Sequence, residues 1–207
     1  MRKFLLSVLA FSFLTGLSAQ SFEGEIIYSN TYKSKLPQLS NQQLSDMIGK
    51  TQEYYIKGGE YKSVINGKII SWQLSINQEN RLYNKMASSD TLQWYNGTKN
   101  TDLVLKSEIN KGVTKILGYA CDELILTCQS GVQKYYFNTK LSVDPESYKK
   151  HQFGNWNTIM ALCHSLPLKY IIENKQFIIE SEAIEIKPQT LDPVMFTIPP
   201  GSKAKEI

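Results

Sequence analysis

The side chains that could carry out a reaction are few and scattered. Cys163 and His164 are adjacent, a thiol beside an imidazole, as a nucleophilic mechanism would want. Neighbours on a strand point to opposite faces, however, so His164 could not easily activate Cys163, and a disulfide would remove the thiol altogether. Asp144 with Glu146, or Glu180 with Glu182, could act as acid and base, but carboxylates spread along a surface strand are ordinarily solvated. His151 and His164 are the only histidines, and nothing has the paired-ligand spacing of a metal site. A G-x-S-x-G elbow, a glycine-rich phosphate loop, an H-E-x-x-H pair and a dinucleotide fingerprint are all missing. The expectation is a protein that is not an enzyme, with no catalytic residues, metal or cofactor.

The start of the chain carries an address. Arg2-Lys3 is positive, Phe4 to Leu14 is apolar, and Gly16-Leu17-Ser18-Ala19 supplies small residues, so residues 1–19 read as a cleaved secretory signal peptide. The apolar run is far shorter than the roughly twenty residues of a spanning helix, and no later segment is long and apolar enough to cross a bilayer. No cysteine lies near the junction to receive a lipid. A mature chain over residues 20–207 is therefore expected as a single soluble domain, periplasmic or secreted. In an oxidising compartment Cys121, Cys128 and Cys163 suggest one disulfide and one free thiol. Cys121 and Cys128, seven apart on one strand, point to opposite faces. That leaves Cys121–Cys163, the favoured pair, or Cys128–Cys163, with three buried apolar thiols as the alternative.

Charge excludes one partner class. The 207 residues carry a net charge of +4, and two of the cations, Arg2 and Lys3, fall in the leader, which leaves the mature chain nearly neutral. Without a dense Lys/Arg run, nucleic acid is not expected as a partner.

Short runs rich in aromatic and β-branched residues make up most of the remainder. Phe22 to Tyr32, then EYYIKGG, EYKSVING, KIISWQLSI and RLYNKM, read as strands. Gly58-Gly59 and Asn66-Gly67 supply the turn chemistry of tight hairpins between them. Thr91 to Tyr95, Val113 to Leu117, Tyr119 to Thr127 and Val132 to Asn138 continue the series, as do Leu168 to Glu173, Phe177 to Ile186 and a closing Val194 to Ile198. The connections are too short for parallel crossovers, so an antiparallel meander is expected. Two stretches look helical: Ser40 to Gly49, with a capping Ser and a terminal Gly, and Pro145–Tyr148 resuming at Trp156 to Leu162. The fold class is mainly β (α+β).

Such a sheet can enclose a ligand or pack its helices into the hollow. Tyr 12, Phe 8 and Trp 3 exceed what a core needs. Trp72, Trp94, Tyr54, Tyr136 and Trp156 are the candidate lining of an apolar cavity, with Tyr55, Tyr61, Tyr135 and Phe137 in the wider set. The rival reading fills the hollow with Leu44, Met47, Ile48 and the Trp156 to Leu162 segment.

One segment is distinctive. Thr114-Lys115-Ile116-Leu117-Gly118-Tyr119-Ala120-Cys121 resembles the "kxILGYxC" strand pair of exported Bacteroidetes proteins, including the GLPGLI family, which resemble the LolA/LolB lipoprotein-carrier superfamily. Phe22 to Tyr28 is similar to the opening strand of that group, Tyr135 to Leu141 to its aromatic strand, and Phe196 to Gly201 to its "F.iP.G" close. Ser165 to Ile171 sits where "GLPGLI" would, with Ser165 and Leu168 in place of its glycines. The resemblance implies a curved antiparallel sheet, an incomplete barrel, with a few helices over the concave face. It also implies a hollow that accepts a lipid or acyl chain, with envelope proteins as further partners.

Overall fold

Local turn chemistry sets many of the strand boundaries. The computed structural model describes residues 21–207, so the expected leader lies outside the described residues. Strands β1 (Gly24–Ser34), β2 (Thr51–Lys57), β3 (Glu60–Ile65), β4 (Ile70–Ile76), β5 (Arg81–Met86) and β6 (Leu92–Asn96) run as a meander interrupted by helix α1 (Asn41–Ile48). A second meander follows in β7 (Val104–Ile116), β8 (Tyr119–Cys128), β9 (Val132–Ser142), β10 (Ser165–Glu173) and β11 (Phe177–Pro188), with helix α2 (Trp156–Cys163) between β9 and β10. Gly58 and Gly59 both take positive φ, +57° and +89°, which a two-residue turn between β2 and β3 requires. Leu117 and Gly118 do the same between β7 and β8.

Strand β11 pairs with β1 and joins the two meanders, with a short final strand β12 (Ala204–Glu206), into one curved sheet that does not close into a barrel, in the order β12-β6-β5-β4-β3-β2-β1-β11-β10-β9-β8-β7. The last of these elements, β12, corrects two expectations. Val194 to Ile198 is not a strand. Asp192 accepts a hydrogen bond from the Val194 N–H at 2.9 Å, and Pro193 starts a 3-10 turn over Pro193–Phe196. The true closing strand, β12, is parallel to β6. The long excursion after β11, packed on β3 and β4, makes the parallel pairing possible.

The Asn66-Gly67 expectation also changes. Asn66 to Ile69 form a longer connection that wraps the end of α1, where Lys68 and Ile69 both donate to the Met47 carbonyl. A Cβ on Gly67 would lie 2.2 Å from the Ile48 carbonyl oxygen, so glycine is needed there for close approach. Helix α1 itself starts as read: Ser40 Oγ accepts from the Gln43 N–H, and Gln43 Oε1 accepts from the Ser40 N–H. Only Leu44 of this helix is buried.

The sheet has two covered faces. The inner face carries the larger core, where Ile159, Met160 and Cys163 of α2 pack beside Leu124, Leu126, Leu166 and Leu168. The outer face carries a smaller cluster of Leu74, Tyr83 and Leu92, covered by Leu191 and Phe196 of the C-terminal segment. Elsewhere the outer face is charged, as where Lys169 pairs with Glu180 at 2.5 Å and Glu182 at 2.8 Å.

The Cys121–Cys163 disulfide expected from the sequence is absent from the structure. Cys121 and Cys128 on β8 and Cys163 at the end of α2 are three free buried thiols. Strand parity alone would put Cys121 and Cys128 on opposite faces, but both lie in the inner core; beside them the β7–β8 register slips between Asn110 and Thr114. Two of the sulfurs also have a local partner: Cys121 Sγ donates to the Tyr119 carbonyl, and Cys128 Sγ accepts from Asn155 Nδ2. Reductant should therefore leave the melting temperature unchanged. Denatured, unreduced protein should titrate three thiols; a single titratable thiol would restore the bond, which would typically be worth about 2–4 kcal/mol.

Candidate functional site

Strand alternation decides which aromatic residues meet. On β2 Tyr54 faces inward and Tyr55 outward; on β9 the same holds for Tyr135 and Tyr136. Across the sheet Tyr28 of β1 stands opposite Gln52, Tyr54 opposite Ser63, and Tyr135 opposite Tyr170. These inward residues line a partly open cavity of about 210 Å³ under the start of α2, with Trp156, Phe153 and Gly154 completing its wall. No charged side chain lines it.

Its walls are rings. Tyr54 stacks on Tyr61, with centroids 5.2 Å apart and planes inclined by 24°, and Trp156 lies 6.4 Å from Tyr54 at 18°. Tyr28 meets Tyr54 edge-on at 6.3 Å. Most of the polar atoms already have partners. Tyr28 donates to the Pro167 carbonyl at 2.7 Å, Tyr170 to Gln52 Oε1 at 2.8 Å, and Gln52 Nε2 to Ser63 Oγ at 2.8 Å. The Tyr61 hydroxyl lies 2.9 Å from His151 Nε2 behind the wall. The Tyr54 hydroxyl is buried and finds no hydrogen-bond partner among the described residues. Burial pushes the Tyr28, Tyr54, Tyr61 and Tyr170 phenols upward, so all are neutral hydroxyls at ordinary pH.

Of the five residues read from sequence as lining, the structure brings together two. Tyr54 and Trp156 are in the cavity wall. Trp72 and Trp94 belong to the outer cluster, where Lys62 lies 5.6 Å over the Trp72 ring and Arg81 4.1 Å over the Trp94 ring. Tyr136 is on the outer side of β9 among Glu123, Lys169 and Glu180, and partial burial together with the Glu123 carboxylate pushes its phenol up to about 12. Tyr28, Tyr170 and Phe153 line the cavity and were not singled out. The register Tyr135–Tyr170 was the missing signal, because it pairs strands separated by α2.

The groups considered for catalysis are otherwise engaged. Cys163 ends α2, with His164 in the left-handed region beyond it, and burial pushes the Cys163 thiol up to about 12. Such a sulfur is protonated at neutral pH. Asp144 caps the 3-10 turn at Pro145–Tyr148, and Glu180 and Glu182 are tied to Lys169 on the outer face. Among the described residues no group of three or more His, Cys, Asp or Glu side chains converges to hold a metal, and no helix is long and apolar enough to cross a membrane.

No family model matches the chain, and no curated protein matches it. Among solved structures it is similar to PNGF-II, at 14% identity and a TM-score of 0.48 over 90% of this chain. The chain spans 32% of that protein's length. It is also similar to a LolA superfamily protein from Nitrosomonas europaea, at 10% identity and a TM-score of 0.40, covering 86% of this chain and 91% of the other.

Proposed function

We propose that this chain is an exported, non-enzymatic protein of the cell envelope that binds a lipid or another apolar molecule in its inner-face cavity. The observation that carries this reading is the cavity itself: about 210 Å³, walled by aromatic rings, with no charged side chain. Ligand sites are mostly apolar with a few placed polar groups, which is the composition found here. Burial of each methylene contributes about 0.8 kcal/mol, so affinity needs no catalytic group. The leader-like residues 1–19 and the resemblance to exported GLPGLI-type proteins support the address, in the periplasm or outside the cell.

A second reading, a structural or protein-interaction module, draws on the packing of Ile159, Met160 and Cys163, which fill the rest of the inner face. Native mass spectrometry of mature protein purified without detergent separates the two. An added mass that organic extraction removes is the expected result. A clean apo mass from envelope material favours the filled module.

A further inference from the structure

The two ends of the sheet are finished differently. At one end β12 is a strand of three residues. At the other, β7 runs for 13 residues and pairs only with β8 among the described residues, so its outward row of backbone N–H and C=O groups has no strand to bond. We propose that this edge takes a second copy of the chain, β7 pairing antiparallel with the β7 of that copy across a two-fold axis at Ser107, so that the two sheets continue into one.

Exposed apolar side chains gather at the same edge. Leu103 is 57% exposed and Leu105 62%, and Ile109, Val113 and Leu117 are exposed as well. Single exposed apolar residues are ordinary, but a row of them along a free strand is what proteins otherwise suppress at a sheet edge. Two bulges frame the regular part of the strand. The β7–β8 register shifts between Val104 and Lys106 and again between Asn110 and Thr114, where Lys111 Nζ and the Gly112 N–H both donate to the Asp122 carboxylate. Between the bulges, Lys106 to Asn110 pair one for one with Thr127 to Glu123, a run of ordinary strand length.

Charge selects both the occupant and the register. Ser107 and Ile109 stand opposite the buried Leu126 and Leu124, so they belong to the inner face, and Lys106, Glu108 and Asn110 belong to the outer. An antiparallel two-fold sets like face against like face, so its centre must fall on a single residue. A centre on Lys106 or on Glu108 would oppose like charges, which is destabilising. A centre on Ile109 puts Glu108 opposite Asn110, and one on Asn110 puts it opposite Gly112, so in neither does the carboxylate meet a cation. A centre on Ser107 puts Lys106 opposite Glu108 of the second copy, twice over, and sets Leu105 beside Ile109. Within one chain Lys106 and Glu108 already lie 3.3 Å apart, so the pairing builds an alternating cluster of four charges. Lysine on an edge strand ordinarily repels a further strand. Here the strand supplies its own counter-charge.

The test is analytical ultracentrifugation of the mature chain at roughly 10 to 500 µM, because one strand pair is a small interface with an affinity at the micromolar end of the range. A concentration-dependent dimer is expected. Lys106→Glu and Glu108→Lys should each weaken it by about tenfold or more, since each opposes like charges at two places, while the melting temperature of dilute protein stays near that of the natural chain. Mixed in equal amounts, the two variants should form with each other the dimer that neither forms alone, because each presents the charge that the other lacks. Neither a loss of the Lys106–Glu108 contact within one strand nor a folding defect could produce that rescue. A chain that stays monomeric throughout overturns the proposal and leaves the edge to a strand of another protein. A dimer indifferent to both variants overturns it as well, by placing the contact elsewhere. Failure of the mixture to associate overturns the register at Ser107.

Discussion

Lowering the pH from 7 to 4.5 is expected to cost the fold about 2 kcal/mol through one imidazole, that of His151. The side chain is 4% exposed, its Nε2 faces the Tyr61 hydroxyl, and its Nδ1 has no partner among the described residues. Burial lowers its pKa from 6.5 to about 4, because the charged ring would sit beside neutral Tyr61 without a counter-ion. The folded value lies below the unfolded one, so the unfolded chain takes up the proton first. Stability is full above about pH 6.5 and is lost as the pH falls toward 4.

Carboxylates add their own acid sensitivity. Hydrogen bonds from Lys57 to Glu23 and from Lys111 to Asp122 hold both carboxyls below their usual range, so their contribution is lost only at lower pH. Urea unfolding at several pH values, for the natural chain and for His151→Gln, isolates the imidazole. Between pH 6.5 and 4.5 the variant should show a much flatter slope. With only two histidines, an NMR titration checks the same point directly: His151 should stay neutral to about pH 4, and an ordinary titration near 6.5 would defeat the prediction.

How much of this was legible follows from where each signal resides. The Gly58-Gly59 turn and the Ser40 cap are local, needing only neighbours in sequence, and both stand as read, the structure adding Gln43 as the reciprocal partner of the cap. Gly67 is tertiary in its purpose: the carbonyl it must approach belongs to Ile48, nineteen positions earlier. Tyr54 and Tyr55 show why the lining was half right. Alternation says that they face opposite ways, but which one faces inward depends on what covers each side. The usual expectation of one wet face sends Trp72 and Leu74 inward, because Gln73 and Ser75 alternate with them. Here the C-terminal segment brings Leu191 and Phe196 across the outer face, so Trp72, Leu74 and Trp94 pack there instead. The inner face at the same strands keeps Ser63 and Gln73 beside the cavity. Nothing in the spacing of a distant C-terminal stretch announces that cover. The state of the cysteines is set in a related way, since cysteine count and compartment limit the pairings but only the fold decides which thiols meet, and in the structure all three are free and buried.

The separation of the three tryptophans gives the other large expected effect. Trp156→Ala should destabilise the protein by about 3 kcal/mol and abolish ligand binding, because the ring packs against Tyr54, Tyr61 and Tyr148 at once and forms part of the cavity wall. For a chain of this length that is a fall in melting temperature of roughly 6–12 °C. Trp94→Ala loses the Arg81 contact and part of the outer cluster, a smaller cost, and should leave ligand affinity unchanged. Trp72→Ala should behave likewise, since its ring lies under Lys62 on the same outer face. Should Trp156→Ala fail to fold, Trp156→Phe keeps a ring at the stack and is expected to bind more weakly while remaining folded. Melting curves and ligand titrations on the set decide the matter: loss of binding in the Trp72 or Trp94 variant, with Trp156→Ala unaffected, would move the site to the outer face.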